Sequence, residues 1–120
     1  MILDLSLRLE AVLAAAVAAN QPEVTVDYLD WNSEAQSTTP AVARTALNST
    51  TDVTILAAPV LNPKRDIQRV TIYNKDTASV QVTVKTDDGT TERILVRRTL
   101  TTLQSLCFEK NAGWYVLATS

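Results

Sequence analysis

Cys107 is the one thiol among 120 residues, and the chain has no histidine. Together these facts remove most nucleophilic chemistry, because a Ser or Cys nucleophile is ordinarily activated by an imidazole, which is also the commonest metal ligand. A single cysteine forms neither an internal disulfide nor a thiolate cluster for zinc. It is expected as a small apolar residue near the core. Carboxylates are the next candidates. Asp87 and Asp88, with Asp76, carry the oxygen ligands that calcium takes, but not at the spacing of a ligand loop, so they read as turn residues. The two glycines, Gly89 and Gly113, both fall at expected turns and leave no Gly-rich phosphate loop. Arg93, Arg97 and Arg98 lie close together after Glu92. On a strand Arg93 and Arg97 would share a face, either a solvated one that discourages edge pairing or a basic patch for a phosphate, a polysaccharide or an acidic partner. Asn48-Ser49-Thr50 fits the glycosylation triplet, a short pattern that carries no weight without a secretory signal. The expectation is a non-enzyme with no cofactor and no metal.

Composition narrows the partners. A formal net charge of -2 argues against a general nucleic-acid binder. The apolar start is interrupted by Asp4 and Glu10 and has no basic stretch before it, so it reads as neither a secretory signal nor a membrane span. A chain of this length buries enough surface for one domain over residues 1–120 without a disulfide or metal.

The elements that would position these residues are mostly strands. Val80, Val82 and Val84 alternate with Ser79, Gln81, Thr83 and Lys85. Val70 and Ile72, and then Ile94 and Val96, repeat the pattern, so Arg69 to Val96 reads as a three-stranded meander with one face to bury. Asn74-Lys75-Asp76-Thr77 and Asp87-Asp88-Gly89 supply its turns. Glu23 to Leu29 and Asp52 to Ala57 read as strands before the meander. Pro59 and Pro63 bracket a connector. A strand with Leu106 and Phe108 opposite Cys107, and another with Trp114 and Val116 on one face, follow it. Residues 30–51, rich in Ser, Thr, Asn and Ala, lack periodicity and read as a long loop. Trp31, within it, is either a plug at the end of the core or an interface anchor.

Residues 1–20 are the one helical candidate. Leu3, Leu5, Leu7 and Leu9 alternate as in a strand, but the alanines from Ala11 to Ala19 favour helix. On a helical wheel Leu5, Leu9, Val12, Leu13 and Ala16 form one stripe, and Leu3, Leu7, Ala11, Ala14 and Ala18 another nearly opposite. A helix apolar on both sides must bury both. The second stripe and Trp31 are therefore the expected oligomer or partner interface. The predicted fold is mainly β: a single β-sandwich of about seven antiparallel strands over residues 23–120 with one N-terminal α-helix.

Two stretches, LRLEAVLAAAVAANQPEVTVDYLD from Leu7 and VTIYNKDTASVQVTVKTDDGTTERILVRRTLTTLQSLCFEKNAGWYVL from Val70, flank TALNSTTDVTILAAP. The combination of Leu/Ala segment, Asn-x-Asp turn and terminal Gly-Trp strand resembles a group of small bacteriophage virion structural proteins. Thr101-Thr102-Leu103-Gln104 stands where that group carries a glycine before the penultimate strand. The resemblance implies a structural protein of the virion, a capsid decoration (cement) protein on the capsid surface, made in the bacterial host cytoplasm. It implies as partners a major capsid protein or other virion proteins, and a homo-oligomer, a trimer by the three-fold positions of such shells. A tail, collar or head-fibre adaptor is the alternative. From another class, a carbohydrate-binding module would use Trp31, Trp114, Tyr28, Tyr73 and Tyr115, and a carboxylate-only hydrolase comes third.

Overall fold

The computed structural model describes residues 1–4, 6–32, 34–60 and 64–118. Its described elements are ten strands: β1 (Ile2–Leu3), β2 (Arg8–Leu13), β3 (Glu23–Asn32), β4 (Ser37–Ala46), β5 (Val53–Leu56), β6 (Lys64–Tyr73), β7 (Val80–Asp87), β8 (Glu92–Leu100), β9 (Ser105–Glu109) and β10 (Gly113–Leu117). They form two antiparallel sheets. The larger runs β10-β9-β6-β3-β4, with β1 on the far end of β6, and the smaller runs β5-β2-β7-β8. Val24, Val26, Val70, Ile72 and Leu106 of the larger sheet meet Leu9, Leu13, Val82, Val84 and Leu100 of the smaller in one core. The expected sandwich is present, with more strands than expected.

The N-terminal helix is not. Leu9, Ala11 and Leu13 are buried on one side of β2 while Arg8, Glu10 and Val12 take the other, so the two-residue period of the leucines prevails over alanine's helix propensity. Residues 14–20 are irregular. A helix of that length has too few hydrogen bonds to offset its nucleation, and helical stability comes mostly from packing. Instead the Asp76 carboxylate accepts the N–H groups of Ala18, Ala19 and Asn20 at 2.8, 2.8 and 3.0 Å. Ser6, at φ 71, turns the chain from the larger sheet into the smaller.

The segment 30–51 is no long loop either. Trp31 and Asn32 end β3, and Ser37–Ala46 returns along it in register from Asn32↔Ser37 to Glu23↔Ala46. The Asn32 side chain caps the turn by accepting from Glu34 and Ala35 N–H at 3.0 and 3.2 Å. β4 is an edge strand with neither face deeply buried, which is why it shows no alternation. Pro40 suits that edge, because proline has no N–H to donate to a further strand. Ser33, within the expected loop, and Leu61, Asn62 and Pro63, in the expected connector, lie outside the described residues, as does Leu5 of the apolar stripe.

The meander holds, with one slip. Val80, Val82 and Val84 are buried. A bulge between Val84 and Lys85 shifts β8, so that Val96 faces Val84 while Ile94 faces Lys85. Ile94, expected in the core, is therefore 59% exposed. The same bulge sets Arg93 opposite Thr86 and Arg97 opposite Thr83, on opposite faces rather than one. Thr83 and Lys85, expected in water, are covered on the outer face: Arg97 Nε donates to Thr83 Oγ1 at 3.0 Å, and Asp52 and Glu92 clasp Lys85.

The predicted turns form. Gly89 and Gly113 take φ 92 and 79. Asp88 accepts the N–H groups of Thr90 and Thr91 at 2.8 and 2.7 Å, which holds its carboxyl below the usual carboxylate range. Leu103, in the stretch where the resembled group has glycine, adopts φ 70 and donates its N–H to the Asn74 carbonyl at 2.7 Å.

Candidate functional site

The outer face of the larger sheet follows from strand register, since residues directly opposite one another share a face. Three rows cross its β4 end. Ile2, Asp66, Leu29 and Pro40 form one; Lys64, Trp31 and Thr38 the next; Arg69, Asp27 and Val42 the third. Ile2, Trp31 and Val42 are 56, 37 and 48% exposed, Pro40 is exposed and Leu29 half-buried. Five apolar side chains thus gather in water on one face. Three of them, Ile2, Leu29 and Trp31, line a groove of about 290 Å³ together with Thr38, Lys64 and Asp66. The charges at its rim are engaged: Lys64 lies 3.5 Å from Asp4, and Lys110 donates to Asp66 at 2.6 Å.

Farther along the same face the surface turns polar. A second bulge, at Gln68, lies where β6 slips against β3 between Asp27 and Tyr28. It opens a groove of about 450 Å³ lined by Asp27, Gln68, Arg69, Glu109, Lys110 and Asn111. Beside it Tyr115 donates its hydroxyl to Glu109 at 3.0 Å, which raises the Tyr115 pKa. Burial pushes the Cys107 thiol upward, which disfavours the thiolate.

Two other clusters are built as firmly. At the first meander turn Asn74 and Asp76 are buried. The Asn74 amide donates to the Ala78 and Leu100 carbonyls at 3.1 and 3.0 Å and accepts from Asp76 N–H at 2.9 Å. The backbone N–H of Ala18 above all, then those of Asn20, Ala19 and Thr77, lowers the Asp76 pKa to about 2. Asp76 thereby fixes residues 18–20 to the sandwich. On the outer face of the smaller sheet, Arg8 bridges Glu10 and Asp87 at 2.8 and 2.6 Å, and Lys85 bridges Asp52 and Glu92 at 2.9 and 3.0 Å. Both cations have raised pKa values, Arg8 through Glu10 first and Lys85 through Asp52 first.

The residues expected at an interface are scattered. Leu3 and Ala11 are fully buried in the chain's own core, and Leu7 packs against it half-buried. Ala14 and Ala18 are exposed, Ala18 beside the Asp76 clasp. The helical stripe that joined the five does not exist, because strands place alternate residues on opposite faces. Of the set, Trp31 alone stands on the apolar patch. Ile2, Leu29, Pro40 and Val42 escape a sequence reading because β4 does, and with it the alignment of Val42 on Asp27 and Pro40 on Leu29. The five aromatics of a sugar platform also divide. Trp31, Tyr73 and Tyr115 share the outer face, whereas Trp114 packs at a tilt against Phe108, 5.0 Å between ring centroids, and Tyr28 lies under the Arg65 guanidinium. No family model matches the chain, and no match to it was found among the curated proteins or the solved structures.

Proposed function

We propose that this chain is a non-enzymatic structural protein of a bacteriophage particle, a decoration protein that seats the outer face of its larger sheet on the capsid shell. The observation that carries this reading is the exposed cluster of Ile2, Leu29, Trp31, Pro40 and Val42. Contiguous exposed apolar patches on small domains mark interaction surfaces. An aromatic anchor surrounded by aliphatic residues is the usual composition of an interface centre. The broad side of the molecule, 47 × 33 Å, exceeds the ~800 Å² per partner of a standard interface. The choice of a virion shell as partner comes from the family resemblance, and the patch supports it by giving a docking protein something to dock with. The trimer belongs to the same reading and rests on the shell's three-fold positions alone, since the helix that would have joined the subunits does not form.

Quantitative mass spectrometry of purified particles tests the proposal. Copies in the hundreds per particle support decoration. Around a dozen would move the chain to a vertex, collar or tail, and absence from particles would end the virion reading. A second reading, glycan binding, draws on the polar groove of Asp27, Gln68, Arg69, Glu109 and Asn111, whose planar polar groups suit sugar hydroxyls. A glycan array that reports binding lost on Asp27→Ala would favour it.

A further inference from the structure

β8 is the edge of the smaller sheet, with β7 beside it and no strand beyond it among the described residues. Its cations differ from the others. Most lysines and arginines of the described residues sit in ion pairs, Arg8 and Lys85 with two acids each. Arg93, Arg97 and Arg98 stand together on β8, all exposed, and none is in an ion pair; elsewhere among the described residues only Arg44 shares that state. Arg93 acts on Asp88 through space alone. Between these arginines Ile94 and Leu95 are 59 and 39% exposed. Charged side chains ordinarily keep foreign strands off an edge, with lysine the commonest choice. β8 has no lysine. It presents arginine, whose planar fork takes a carboxylate through two parallel hydrogen bonds, beside exposed aliphatic residues, and that combination is the composition of an interface.

We propose that the β8 edge docks an extended acidic segment of a partner protein. Register sets arginine on both sides of that edge. Arg97 stands opposite Thr83 on the outer face, and Arg93 and Arg98 stand opposite Thr86 and Val82 on the other. A strand laid along β8 alternates its side chains between the same two faces, so acids on either face meet a guanidinium. The bulge opposite Lys85 leaves Val96 to Leu100 as the regular stretch on which such a segment pairs its backbone. Two of the arginines are already held in place. Arg97 donates Nε to Thr83 Oγ1 at 3.0 Å, and Arg98 donates Nη1 to the Arg97 carbonyl at 3.1 Å, which leaves both Nη groups of Arg97 and Nη2 of Arg98 for a ligand. Side chains ordered beforehand lose less entropy on binding. Ile94 and Leu95 select the class of partner. A phosphate polymer or an acidic polysaccharide satisfies the arginines but leaves both aliphatic side chains in water, whereas a protein segment covers them. Charge excludes a second copy of this chain. Two β8 strands laid antiparallel about Leu95, or about the Leu95–Val96 bond, bring Arg93 against an arginine of the other copy, and like charges directly opposite repel. β8 belongs to the smaller sheet, so the inference does not rest on what the larger sheet docks on.

The test is fluorescence anisotropy of the labelled, end-blocked peptide Thr-Asp-Glu-Val-Thr-Val-Glu-Thr, whose acids meet Arg98, Arg97 and Arg93 in antiparallel register. Saturable one-to-one binding to the full chain is expected, weakening as salt rises. The Arg93→Gln, Arg98→Gln double variant, changed at two exposed positions, should keep the parent's melting temperature and bind at least about tenfold more weakly. The same peptide with Asn and Gln in place of its acids should not bind. Ile94→Ser, also at an exposed position, should weaken the acidic peptide and leave heparin fragments unaffected. No saturable binding up to about 1 mM peptide overturns the surface. Equal binding by the double variant overturns it as well. Heparin fragments that bind more tightly than the peptide, with peptide affinity unchanged in Ile94→Ser, mean a polyanion site and overturn the protein partner.

Discussion

Replacing Asn74 by alanine should cost more than any surface change in this protein. The side chain is fully buried and holds three backbone groups: the carbonyls of Ala78 and Leu100 and the N–H of Asp76. Each buried polar group left without a partner costs ~1–3 kcal/mol. The Ala78 carbonyl lies toward the surface, where water can replace the amide, so two groups are stranded. The expected loss is about 2–6 kcal/mol, a large part of the ~5–15 kcal/mol that holds a typical domain together. The clasp on residues 18–20 should loosen with it, because the Asn74 side chain orients the Asp76 amide. Asn74→Asp is the sharper control. It has the same shape and keeps an acceptor for the Asp76 N–H, but it points a carboxylate at two carbonyl oxygens. Burial and those oxygens raise its pKa, so its deficit should exceed that of alanine at neutral pH and shrink as pH falls toward the acid range. Urea unfolding followed by tryptophan emission reads both, since Trp114 packs on Phe108. Stability of Asn74→Ala within about 0.5 kcal/mol of the parent would refute the reasoning. So would an Asn74→Asp variant as stable as the parent at neutral pH.

Other outcomes follow from the same geometry. Asp76 has a folded pKa of about 2 against an ordinary 3.8, a depressed acid, so it contributes stability that is present above the unfolded value and is lost as pH falls through the folded one. The parent's melting temperature should therefore decline between about pH 4 and 2, and Asp76→Asn should be less stable at neutral pH and flatter across that window; parallel declines would count against the clasp. Val82, fully buried, should cost about 1–3 kcal/mol on truncation to alanine, measured by the same unfolding curves. Leu103, half-exposed at φ 70, holds a left-handed backbone that costs a side chain ~1–2 kcal/mol, so Leu103→Gly should be neutral or stabilising, and a marked loss would mean that its side chain has a role beyond the turn.

What the sequence disclosed and what it hid divide along physical lines. Val80, Val82 and Val84 were legible because β7 has a neighbour on each side and the core beneath it, so burial imposes alternation. The turns at Gly89 and Gly113 were legible because few residues tolerate their backbone. Residues 1–20 misled because two local signals conflict, and only tertiary facts decide between them: the core seat of Leu9 and Leu13, and a carboxylate from Asp76 some 56 residues away. β4 was hidden because an edge strand with both faces partly wet need not alternate. Ile94 was misplaced by a single bulge, which no periodicity announces. The apolar patch and the ion-paired Glu10, Asp87 and Glu92 of the smaller sheet are products of register. Their members come from β1, β3 and β4 in one case and from β2, β7 and β8 in the other, and no spacing along the chain joins them.

The central claim is that the apolar end of the larger sheet is what docks this protein on a shell. Ile2 faces Asp66 and Val42 faces Asp27 across their strand pairs, so lysine at both positions would meet a carboxylate and leave the fold intact while breaking the patch. The measurement is co-sedimentation of the Ile2→Lys, Val42→Lys double variant with purified shells stripped of this protein, beside the parent. The parent should saturate the shells while the variant, with an unchanged melting temperature, stays in the supernatant. Equal binding by the two, or no binding by the parent, would contradict the claim.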